Sequence, residues 1–357
     1  MVLHELLSRI LQGPLSLQRH DGSLPPGHNG PYSDPETPVR VTAHFLLAFL
    51  RVARLTGDDR YLQAARRCLD FLLQTDALGF HNYHQRTKPG KDRCNGLVGP
   101  AWAIEALLAG AAAFERTEAT ALARRLFLGH PFLPGTGVWQ RVETDGTNLG
   151  VDGAFNHQLW LAAAAAPLAA HDPEVASRLA TFLDRLERTL ALRRTGRIVH
   201  KLQVGATAPK EALKALLRPA YRRYFERKER GYHAFNTLAF GMLYRVFPHH
   251  PFFQSLRFRR VLDYLEHPDY LSGLEDSEYG FPYNPPGFEV PATWALTGRE
   301  RPPEAVASWL NRQFQWGLRQ EQWDLGGGTA DPVTATARVY ELIHLPDSWF
   351  RLDIRLP

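Results

Sequence analysis

Apolar residues recur at helical spacing along nearly the whole chain. They fall into ordered pairs, in which an Ala- and aromatic-rich stretch precedes a stretch carrying charged stripes. Residues 38–56 predict a helix with Pro38 in its first turn and Gly57 as its stop, after which Asp58 or Asp59 caps a partner reaching about Gln74. The same period predicts further pairs at 97–116 with 118–129, 154–170 with 173–192, 233–247 with 251–266, and 289–298 with 303–318. In the third pair, Asp172 and Pro173 supply a cap and a first-turn proline. A sixth helix begins after Asp331 and runs to about Ile343, with the N-terminal helix as the partner that closes a ring. Six such pairs predict an all-α fold, an (α/α)6 toroid. Stretches such as 101–113 and 159–170 are its inner helices, buried all round, and stripes such as Arg60, Arg66, Arg67 and Asp70 mark outer helices with one wet face.

Two phrases recur where helical runs begin. Ala154-Phe155-Asn156 returns as Ala234-Phe235-Asn236, and Asp34-Pro35-x-Thr37 returns as Asp331-Pro332-x-Thr334, followed by Arg40 and Arg338 respectively. A repeated polar cluster ahead of an apolar helix gathers polar side chains at one end of the bundle, which predicts a concave polar site.

The chain has 357 residues, 44% of them hydrophobic, and no Gly/Ser-rich or low-complexity linker, so a single domain over 1–357 is the simplest organisation. Met1 to Gln12 contains His4, Glu5 and Arg9 and lacks the apolar core of a signal peptide. The longest apolar run, Leu159 to Ala170, is too short to span a bilayer, and the expectation is a cytoplasmic protein. Cys68 and Cys94 cannot build a disulfide framework, and a net charge of +5 does not point to nucleic acid. One segment departs from the pattern, a basic helical insertion at about 197–231. Lys201, Lys210, Lys214, Arg218, Arg222, Arg223, Arg227, Lys228 and Arg230 there face Glu211, Glu226 and Glu229 alone. It reads as a solvated outer helix, as a mobile lid, or as a segment that touches an anionic membrane surface or a lipid-linked pyrophosphate substrate through 201–230.

The loops before the inner helices pair an aromatic with a carboxylate, amide or imidazole, the composition that stacks on a sugar ring and bonds its hydroxyls. Among their carboxylates, Asp34, Glu36, Asp152, Glu289 and Asp331 are candidates for the acid and base of glycoside hydrolysis, although helix capping uses the same residues. Asp152 leads, with Asn156 and Gln158 as hydroxyl partners and His157 as a proton shuttle one turn along. Arg40 and Arg338 are either ion-paired with Asp34, Glu36 or Asp331, or clamp a uronic acid carboxylate. Cys94 with His81 and His84 lacks a CxxC or HExxH spacing, Gly326-Gly327-Gly328 lacks a phosphate-loop lysine, and no serine elbow occurs, so no metal or cofactor is expected.

The layout resembles the (α/α)6-toroid carbohydrate-active enzymes, which include glycoside hydrolases, unsaturated uronyl hydrolases, some polysaccharide lyases and sugar epimerases. More narrowly, Pro26-Gly27-His28-Asn29-Gly30-Pro31-Tyr32, Asp34-Pro35-Glu36-Thr37-Pro38-Val39-Arg40 and Phe155-Asn156-His157-Gln158-Leu159-Trp160 resemble phrases of glycosidase-like proteins from prokaryotic surface-glycan gene clusters, archaeal N-glycosylation included. The resemblance implies a sugar pocket holding Asp34, Asp152 and Glu289 between walls of Tyr32, Trp102, Trp160 and Tyr283. It implies hydrolysis first. A uronate lyase or epimerase, using His233, Tyr283 and Arg40, is the alternative, and a non-catalytic glycan binder is the third reading.

Overall fold

A computed structural model describes residues 1–204 and 218–357. Its helices are α1 (Leu3–Leu17), α2 (Val39–Thr56), α3 (Asp59–Gln74), α4 (Val98–Phe114), α5 (Thr117–Leu128), α6 (Phe155–Ala165), α7 (Pro173–Asp184) and α8 (Leu186–Thr189). After the undescribed stretch come α9 (Pro219–Gly231), α10 (His233–Val246), α11 (Pro251–Gln254), α12 (Leu256–Asp263), α13 (Pro268–Gly273), α14 (Pro286–Thr297), α15 (Pro303–Gly317) and α16 (Pro332–Ala337), the last continuing as a 3-10 turn, Arg338–His344.

The local punctuation explains the boundaries. Gly57 stops α2 with φ +69°, a left-handed conformation that glycine adopts without strain. The Asp58 side chain caps α3 by accepting from Arg60 N, and Asp172 caps α7 by accepting from Glu174 N and Val175 N. Helices α2, α4, α6, α10, α14 and the α16–Arg338 segment pack each on the next and the last on the first, so among the described residues they close a ring of six. Outside them lie α3, α5, α7, α11 with α12, and α15. Helix α1 rests on α2 and on the Asp347–Arg351 turn, beside which Leu3 N donates to Leu352 O (2.9 Å), so the first helix and the last turn meet. Inner helices bury most of their residues, around the whole helix, whereas α3 buries Tyr61, Ala64, Ala65, Cys68, Leu69, Phe71 and Leu72, one face only.

Three features depart from the sequence pattern. Helix α14 begins at Pro286, three residues early, which moves Glu289 from the preceding loop into the first turn. The fourth outer helix is broken at Ser255, whose extended backbone ends α11 while its hydroxyl caps α12 by accepting from Phe258 N. Between α5 and α6 runs an antiparallel three-stranded meander, β1 (Phe132–Leu133), β2 (Val138–Val142) and β3 (Asn148–Val151), which delivers the chain to Asp152. Of the basic insertion, α9 is described, and Lys210, Glu211 and Lys214 lie outside the described residues. No helix among the described residues is long and apolar enough to cross a membrane.

Candidate functional site

At the end of the ring where inner helices start, a cavity of about 170 Å³ opens. A cavity of about 150 Å³ accepts one six-membered carbon ring, so the space suits a single sugar ring at its base. Asn29, Tyr32 and Asp34 enter from the loop before α2, Arg86, Lys91 and Asn95 from the loop before α4, and Trp102 from α4. Ala154, Asn156 and His157 come from the start of α6, His200 and Lys228 from the chain between α8 and α10, Tyr232 and Phe235 from the start of α10, Tyr283 and Asn284 from the loop before α14, and Arg338 from the sixth inner segment. The expected convergence of helix starts on one face therefore occurs.

His157 borders the cavity and its Nδ1 lies 2.8 Å from Asp152 Oδ2. Burial would raise the Asp152 carboxyl, but the charge and hydrogen bond of His157, with the backbone N–H groups of Ala154 and Leu97, bring it down to about 2. An ionised Asp152 only accepts, so Nδ1 of His157 donates to it and Nε2 is left for proton exchange. Gly96 backs this pair with φ +62°, and a Cβ there would come within 2.5 Å of both Asp152 Oδ2 and His157 Nδ1. His200 is the second imidazole at the cavity. Burial, then the charges of Lys228, His157 and Lys201, hold it well below the ordinary imidazole range, and its buried Nδ1 has no partner among the described residues.

The other expected carboxylates are spoken for. Asp34 borders the cavity but is gripped by Lys91 (2.8 Å), Lys88 (2.9 Å) and Arg86 (3.1 Å); burial would raise it, and these bonds lower it overall. Glu36 lies below, 3.0 Å from Arg40, which also donates to Asn29 Oδ1 and stacks over Trp102. Glu289 is enclosed behind Arg338 (2.8 Å), which also pairs with Glu341 (2.5 Å); burial pushes both carboxyls up against the opposing guanidinium. Asp331 caps α16 through Thr334 N and accepts from His28 N and Gly30 N, tying the first loop to the sixth inner segment. Neither Glu36, Arg40, Glu289 nor Asp331 borders the cavity, and of the two arginines Arg338 alone reaches it.

Gln158 also faces away. Its amide exchanges both hydrogen bonds with the Trp139 backbone (2.8 and 2.9 Å), serving β2 as a further strand edge would. His233 accepts from Ile198 N and donates to Val261 O, buried among Tyr264 and Tyr270, and burial pulls it down to about 3. Trp160 stacks behind Phe235 (4.3 Å) instead of forming a wall. The walls are Tyr32, Trp102, Tyr232, Phe235 and Tyr283. Trp102 Nε1, Asn156 Oδ1 and His200 Nδ1 are buried polar atoms of lining residues with no partner among the described residues, a donor–acceptor set suited to hydroxyl groups. His200, Lys228, Arg86 and Lys91 were not expected at the site; the basic run around Lys228 and Lys201 was the one sequence signal near it. No cluster of three or more His, Cys, Asp or Glu suited to a metal occurs among the described residues.

The chain is similar over 96% of its length to a sugar epimerase from a ruminal bacterium (TM-score 0.62, 12% identity, 98% of that chain). It is also similar over 95% to a cellobiose 2-epimerase from Spirochaeta thermophila (TM-score 0.64, 14% identity, 95% of that chain). An inactive α-1,6-mannanase variant from Salegentibacter sp. HEL1_6, solved with α-1,6-mannotriose, matches over 96% (TM-score 0.59, 11% identity, 98% of that chain). At these identities the likeness shows the fold, the (α/α)6 toroid. No family model matches the sequence. Archaeal glycosylation protein Q from Haloferax volcanii is 39% identical over 98% of the chain and 99% of its own length. With that identity sustained end to end, the chain belongs to the family of archaeal glycosylation protein Q.

Proposed function

We propose that the protein is a carbohydrate-active enzyme of glycan assembly that moves a proton on and off a sugar carbon, as an epimerase or isomerase does. The observation that carries this is the pairing at the cavity. Two imidazoles border it, one of them held by an ionised Asp152, while Asp34, the carboxylate at the wall, is neutralised by three cations. His200, held neutral, takes the proton from a carbon next to the sugar carbonyl and the electron pair moves to the carbonyl oxygen; the imidazolium of His157, stabilised by Asp152, returns a proton from Nε2 to the opposite face, which inverts the centre. Trp102 Nε1–H and Asn156 Oδ1 hold hydroxyls, and the aromatic walls exclude water. Membership of a glycosylation family supports a saccharide of a glycan as substrate.

Hydrolysis is the second reading, favoured by one observation: Asp34 stands ionised at the cavity wall, where it would activate water while the imidazolium of His157 protonates the leaving oxygen. The test is product analysis on reducing mono- and disaccharides, uronic acids included. Epimerised or isomerised sugar from the wild type, reduced about 10²–10⁴-fold in His157→Asn, is expected. A shortened glycan with its stereocentres intact would decide for hydrolysis.

A further inference from the structure

The cations of this site fall into two groups. Arg338 is balanced by Glu289 and Glu341, and Arg86, Lys88 and Lys91 share Asp34, with Arg86 also bonded to Asp92 (2.8 Å). Lys228 has no carboxylate or hydrogen-bond partner among the described residues. Its ammonium instead sits over four tyrosine rings: Tyr32 at 5.0 Å, Tyr279 at 5.6 Å, Tyr232 at 5.7 Å and Tyr224 at 5.9 Å. These rings are themselves braced, since the Tyr32 and Tyr232 hydroxyls are hydrogen-bonded (2.7 Å).

The position of Lys228 is fixed by its neighbours in α9. Glu229 is buried against Arg193 (2.7 Å) and Arg197 (3.3 Å), and Arg230 pairs with Asp269 (2.6 Å). The Arg227 carbonyl accepts from Ser277 Oγ, and the Gly231 carbonyl accepts from Asn284 Nδ2. The flanking residues bolt the helix to the scaffold and leave Lys228 alone turned to the cavity. A half-buried ammonium without a counterion is costly, and tyrosine faces offset only part of that cost. Burial, with Lys201 and Lys91 nearby, lowers its pKa to about 8, a sign that the surroundings are short of negative charge.

We propose that Lys228 is the specificity-determining residue of the cavity, and that it receives the anionic group, carboxylate or phosphoryl, of an acidic sugar. The inference rests on the saccharide reading of the same site and adds the substrate class. It transfers anion recognition from the arginines, which are engaged with buried carboxylates, to a cation that is not.

The test is calorimetric titration of the full chain with glucose, glucuronate, glucose 6-phosphate and inorganic phosphate, for wild type, Lys228→Met and Lys228→Arg. The wild type is expected to bind an acidic sugar at least about tenfold tighter than glucose, a gap of about 1.4 kcal/mol. Lys228→Met should erase that preference while glucose affinity stays within about twofold, and Lys228→Arg should keep it. Stronger binding of glucuronate identifies a carboxylate ligand, and stronger binding of glucose 6-phosphate a phosphoryl one. Equal affinity for neutral and acidic sugars, a preference that survives Lys228→Met, or a borohydride-trapped imine on Lys228 overturns the proposal. Phosphate binding lost in Lys228→Met with no sugar bound by any form would sink the saccharide reading and leave the anion site standing.

Discussion

Arg338 and Lys228 both border the same cavity, yet their surroundings are opposite. Arg338 is buried between Glu289 and Glu341 and donates to Asn284, as Arg40 is buried against Glu36 and Asn29. Lys228 faces tyrosine rings and further lysines. In the floor beneath the cavity each arginine thus faces a carboxylate, although Glu36 Oε2, Arg40 Nη2 and Glu289 Oε2 have no hydrogen-bond partner among the described residues, whereas the wall carries Lys228, which faces no carboxylate there, with His200 Nδ1, Asn156 Oδ1 and Trp102 Nε1 left without a partner. Opposite charges hold the inner helices in register; a charge with no opposite partner costs stability and is retained where a ligand completes it.

The difference is sharpest in stability. Arg338→Met leaves two buried carboxylates facing each other without a counterion, and a loss of about 3–5 kcal/mol is expected in denaturant unfolding. A loss below about 1 kcal/mol would show that the floor is not held by opposite charges. Asp152→Asn comes next. The folded-state pKa of Asp152 lies below its unfolded value, so its contribution, about 2 kcal/mol, is complete above about pH 4 and is lost as pH falls towards 2. Wild-type stability should decline through that window by about this amount more than the variant does, as read from unfolding curves at each pH. The smallest effect belongs to Lys228→Met, which removes an unpaired charge and is expected to change stability by no more than about 0.5 kcal/mol, or to raise it. A large destabilisation there would turn Lys228 into a structural residue and erase the contrast.

What the sequence disclosed follows the same division. The ring was legible because its signals are local: Gly57, the Asp58 cap and the Asp172-Pro173 pair each act within one turn. The β1–β3 meander escaped a helical reading, although Asp145-Gly146 beside the alternating Val138 to Val142 is a hairpin signal. Missing it also hid the role of Gln158, whose partner, Trp139, lies on β2. The Asp-Pro echo was real as a phrase but not as a role. Asp331 became a cap and Asp34 an ion-pair centre, because the loop carrying Arg86, Lys88 and Lys91 folds over only one of them. His157 could be named because it sits one turn from Asp152; His200 and Lys228 could not, since tertiary packing of the chain just after α8 and of α9 brings them to the cavity.

The central claim, that an imidazole held by Asp152 exchanges a proton with a sugar carbon, is tested most directly by solvent deuterium. The full chain is incubated in deuterium oxide with glucuronate, mannose and cellobiose, and the sugars are read by proton NMR. The account predicts loss of the signal of one carbon-bound proton next to the carbonyl, catalysed by the wild type and absent with His157→Asn. Turnover that cleaves a glycosidic bond while every carbon-bound proton is kept would contradict it.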